Sequence, residues 1–90
     1  MESDEVPSDF YDVADRFIQL ANELSKTRQL SRVSATFLFA AARYNAHFML
    51  SSDPNVSKNR AAAVAYFGEQ YRRMLEDNVD RLLRLEKDPQ

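Results

Sequence analysis

The dominant pattern of the chain is VSATFLFAAARYNAHFML, Val33 to Leu50, in which thirteen of eighteen positions are apolar and Ser34, Thr36, Arg43, Asn45 and His47 are the polar interruptions. A helix that is apolar around most of its circumference has to be covered on more than one side. Both flanks supply an amphipathic helix that could cover it. Upstream, Phe10, Val13, Ala14, Phe17, Leu20 or Ala21, and Leu24 recur at steps of three and four, with Ser8 or Asp9 able to cap and Asp12 at the positive end of the helix dipole. Downstream, Ala61, Val64, Gly68, Tyr71, Leu75, Asn78, Leu82 and Leu85 keep the same spacing.

The breaks between these stripes set the element boundaries. The pattern fades in SKTRQLS, where Ser31 can cap the second helix, and it stops at SSDPN, because Pro54 disfavours helix at Asp53 and has no N–H to donate. Helices are therefore expected over about 9–28, 32–51 and 57–87, with residues 1–8 an acidic, flexible N-terminus. The fold expected is all-α: an antiparallel three-helix bundle with a central apolar second helix and a long third helix, all within a single domain over residues 1–90. On the outer face of the third helix, Glu69 with Arg73, Arg72 with Glu76, Arg73 with Asp77, Asp77 with Arg81 and Asp80 with Arg84 stand four apart, as on a solvated surface.

Length adds a consequence for assembly. At 1.5 Å per residue the third helix is about 42 Å long and the first two about 30 Å, which leaves roughly two turns without a partner. Leu82, Leu83 and Leu85 fall in that overhang. Apolar side chains projecting past a bundle predict a second chain, most simply a homodimer through Leu75, Asn78, Leu82 and Leu85. Asn78 in that stripe reads either as a selector of register or as a plain boundary residue.

Composition narrows the class. The chain has 90 residues, 44% hydrophobic and 29% charged, with one Gly, three Pro and no Cys, which suits a few long helices and gives neither a disulfide framework nor a thiolate site. A cytoplasmic protein is expected from the acidic start MESDEVP, and no membrane span, since Arg43, Asn45 and His47 lie inside the apolar run. The net charge of −2 conceals an asymmetry: residues 1–15 carry six acids and no base, whereas 26–60 carry six bases against Asp53 alone. The layout nonetheless argues against nucleic acid as a ligand, because Lys26, Arg28 and Arg32 are expected at the opposite pole from Lys58 and Arg60, and the pI is 5.3.

Candidate chemistry is sparse. No catalytic motif, cofactor motif or metal-ligand spacing is present; the sole histidine, His47, reads as a core or boundary residue, and Asp9, Asp12 and Asp15 as first-turn dipole partners. The polar residues of the second helix are more informative. Arg43 and Asn45 need partners if buried, and Asn22 or Glu23 on the first helix and Glu69 or Gln70 on the third are the candidates. The set reads either as a structural network that fixes register or as a pocket for an anionic ligand. A non-enzymatic interaction or assembly module is the leading expectation, with an unidentified protein partner also compatible. The ligand binder comes second and the nucleic-acid binder third.

Three strings, FYDVADRFIQLANE from Phe10, VSATFLFAAARYNA from Val33 and YFGEQYRRMLEDNVD from Tyr66, together resemble a family of short proteobacterial proteins, domain of unknown function 3144. They cover about half of the chain in the order of the three helices. The resemblance implies a compact intracellular helical protein and carries over no catalytic or binding residue.

Overall fold

A computed structural model describes residues 7–87. It is all-α: α1 spans Phe10–Leu24, α2 Leu30–Ser52 and α3 Arg60–Lys87, and no strand occurs among the described residues. The chain divides into two compact units, and the boundary falls inside α2 between Ala46 and His47. The acidic segment expected to be flexible lies almost wholly outside the described residues.

In the first unit α1 starts at the residue after Asp9. The Val13 N–H donates to the Asp9 carbonyl (2.9 Å), while the Asp9 side chain makes no capping bond. Asp12 sits in the first turn, where the helix dipole favours an anion. The helix ends at Leu24, the last residue of its apolar stripe and about one turn before the boundary expected near residue 28. The Ser25 N–H and hydroxyl both donate to the Ala21 carbonyl (3.0 and 2.9 Å), and the Lys26 and Thr27 N–H groups turn back to Glu23 and Leu24. α2 then starts two residues early: the Gln29 carbonyl accepts from Arg32 and Val33 N–H (both 3.1 Å), so Ser31 lies inside the first turn and is not the cap.

The second unit begins with the end of α2, which stops where Pro54 requires. The Ser51 and Ser52 hydroxyls donate to the His47 and Phe48 carbonyls (2.9 and 2.7 Å), and the Asn55 N–H donates to Asp53 Oδ1 (2.9 Å), closing an Asx turn. Asn59 holds the cap position of α3, its carbonyl accepting from the Ala63 N–H (2.9 Å). The outer face of α3 closes two of the five pairs expected, Glu69 with Arg73 (3.0 Å) and Arg72 with Glu76 (2.6 Å), and adds Glu69 with Arg72 (2.6 Å). Arg73–Asp77, Asp77–Arg81 and Asp80–Arg84 are open. Arg73 is bonded to Glu69 and so is turned away from Asp77, whereas Arg81 and Arg84 stand at the right spacing from Asp77 and Asp80 without closing a bridge.

Candidate functional site

Apolar surface is the outstanding property of both units. Among the described residues Val33, at 7% exposure, is the one buried side chain, while Phe17 stands at 58%, Tyr44 at 73% and Leu82 at 61%. Surface hydrophobics scattered singly need no explanation, whereas contiguous ones mark interaction sites.

In the first unit they are contiguous. The stripe of α1, through Phe17, Leu20, Ala21 and Leu24, faces the same space as Val33, Phe37, Ala40, Ala41 and Tyr44 of α2, and together they wall an open groove of about 1060 Å³. The hollow follows from side-chain size, because Ala40 and Ala41 lie between the larger Phe37 and Tyr44. Arg28 and Arg32 stand along it, with Thr36 and Asn45, and no acid lines it.

In the second unit the stripe of α3 presents Val64, Tyr71, Leu75, Leu82 and Leu85, all exposed. Asn78 lies among them, its amide donating to the Met74 carbonyl one turn back (2.7 Å). Gly68 has open space where a Cβ would stand.

The polar candidates divide by local partner. The Arg43 guanidinium lies over the Phe39 ring, 5.0 Å from its centre, a cation–π contact within α2. Glu23 pairs with Lys26 (3.2 Å), and Asn22 beside it is exposed. Asn45 is half-buried in the groove wall. No hydrogen bond joins Asn22 or Glu23 to Arg43 or Asn45 among the described residues. On α3, Gln70 is half-buried and Glu69 is the focus of two guanidinium groups: Arg72 donates from Nε and Nη2 (3.0 and 2.6 Å) and Arg73 from Nε (3.0 Å). Those bonds, Arg72 first, lower the Glu69 carboxyl from its ordinary 4.5 to about 2, and the same partnership raises Arg72.

Reasoning from sequence missed the groove. Phe17, Arg28, Arg32, Phe37 and Tyr44 were not candidate site residues, although the paired alanines between two aromatics in α2 were a legible signal of a hollow. No group of three or more His, Asp or Glu side chains among the described residues is placed to hold a metal ion, and no helix among them is long and apolar enough to cross a membrane.

Compared with known families, residues 10–82 match the family described as Protein of unknown function (DUF3144). The chain belongs to that family. The DUF3144 match takes in all of α1 and α2 and α3 as far as Leu82, so the groove and most of the α3 stripe lie inside it. No curated protein and no solved structure matches the chain. For this DUF3144 chain, function therefore has to be argued from its own surfaces.

Proposed function

We propose that the chain is a non-enzymatic, self-associating helical module, dimeric through α3, with Leu75, Leu82 and Leu85 carrying the contact and Asn78 between them. The reading rests on one observation: these leucines are exposed on one stripe, at the three-and-four spacing of a helix that meets another helix. Burying such a stripe removes apolar area from water at about 25 cal/mol per Å², the term that drives association. A chain without cysteine suits the reducing cytoplasm, where we place it.

Assembly is favoured over anion binding at the polar residues of α2 and α3 because the guanidinium groups expected there have local partners. Arg43 lies on Phe39, and Arg72 and Arg73 are bonded to Glu69. Light scattering on a sizing column, across a range of protein concentrations, tests the reading. A mass of two chains is expected for the wild type, against the 10.4 kDa of one, and Leu82→Glu should return the mass to a single chain. A wild type that stays monomeric at every concentration sinks the proposal.

A further inference from the structure

We infer, resting on the self-association proposed above, that two α3 helices pair parallel and in register, and that Arg81 of each chain meets Glu86 of the other. The α3 stripe alternates steps of three and four from Ala61 to Leu85, which are the a and d positions of a heptad. On that frame the positions bordering the seam are Arg72, Val79 and Glu86 on one side, at e, and Phe67, Met74 and Arg81 on the other, at g. Residues at e and g decide which partner a helix takes and in which direction.

The two charges at the far end of the seam have no partner in their own helix. Arg81 makes no ion pair among the described residues, although Asp77 stands one turn back. Glu86 follows Leu82 and Leu83 and precedes Pro89 and Gln90, so no base lies three or four residues from it. Arg72, in contrast, is held by Glu69 and Glu76. In a parallel pair each g position meets the e position of the following heptad on the partner. In register, that sets Arg81 against Glu86 twice by symmetry, joins Met74 to Val79 and brings no like charges together.

Antiparallel pairs do worse in every register. They match e with e and g with g, so levelling Leu75 with Asn78 sets Arg72 and Arg81 against Val79 and Met74. A slip of one heptad either way sets Arg72 or Arg81 against its own copy, and like charges placed together oppose association. Asn78 points the same way. Its amide nitrogen donates to the Met74 carbonyl (2.7 Å), which leaves a second N–H and the side-chain oxygen for a partner. The parallel pair sets it against Asn78 of the second copy, whereas the three antiparallel registers set it against Leu75, Leu82 or Gly68, where those groups would be buried unpaired.

Because the chain has no cysteine, one introduced thiol reports direction. A disulfide needs Cα atoms about 4.4–6.8 Å apart, whereas the antiparallel registers hold the two copies of residue 85 about 15 Å or more apart. Full-length Leu85→Cys should therefore oxidise to the homodisulfide, about tenfold faster than Asp80→Cys on the outer face of α3. Charge reversal reports register. Arg81→Glu and Glu86→Arg should each raise the dimer dissociation constant about tenfold at low salt. An equimolar mixture of the two variants should form the heterodimer in excess over both homodimers, since every reversed charge in it again meets its opposite. A dimer by mass overturns the parallel pairing, and leaves self-association standing, if Leu85→Cys oxidises no faster than Asp80→Cys, if Gly68→Cys and Leu85→Cys give the mixed disulfide instead, or if the reversals leave dissociation unchanged. A wild type that is monomeric at every concentration removes the self-association reading and this inference together.

Discussion

Glu69 concentrates most of the electrostatics resolved on α3 in one carboxylate. Its group titrates near 2 in the folded chain against an ordinary 4.5, so the charged form is favoured by folding. That contribution is fully present above pH 4.5 and is lost as pH falls towards 2. The side chains are exposed and screened by salt, so the effect belongs to low ionic strength. The expected outcome is that the stability difference between wild type and Glu69→Gln, followed by circular dichroism, shrinks across that window; a difference that stays constant would mean the bonds contribute nothing. Gly68 gives a second prediction on the same helix. Nothing stands within 4 Å of where its Cβ would be, so Gly68→Ala should stabilise the protein by about 0.5–1 kcal/mol through helix propensity alone. A loss in thermal denaturation would instead reveal a close partner at that point.

At the level of elements, the clearest signal in the chain is the stop of α2, and it is also the easiest to dismantle. Ser51 and Ser52 bond back onto the helix, and Asp53 Oδ1 accepts the Asn55 N–H. Asp53→Ala removes that acceptor and should cost about 0.5–1.5 kcal/mol in denaturant unfolding, with Asp53→Asn recovering most of it. Pro54 made this stop legible in the sequence, and the three helices were legible because their stripes follow the helical period. The end of α1 was not, since SKTRQ contains no apolar residue whose spacing could show whether the helix continues. Ser31 misled for a related reason: a hydroxyl beside an apolar run resembles a cap, but the Gln29 carbonyl had already accepted the first bonds of α2. Of the candidate site, Leu75, Leu82 and Leu85 followed from the long stripe. The groove followed only in part: the alanines between Phe37 and Tyr44 signal a hollow on α2, but its other wall is the α1 stripe, which no reading of α2 alone contains.

Within each of the two units, so little apolar surface of the described residues is fully buried that stability and association should be inseparable. Melting temperature should therefore rise with protein concentration, by several degrees over a hundredfold range, whereas a self-sufficient monomer would show none. Leu82→Glu should abolish that dependence and lower the melting temperature together, and losing one without the other would separate folding from assembly. Val33, the one buried side chain described, then has a meaning beyond packing. Where the described residues fully bury one valine and leave Leu24, Met49, Val56 and Phe67 half-covered, partnership completes the core, and the yield of native protein becomes second order in newly made polypeptide. A cell that halves its synthesis would keep well under half of the working pool, so the protein's supply would respond to expression as a threshold and not in proportion.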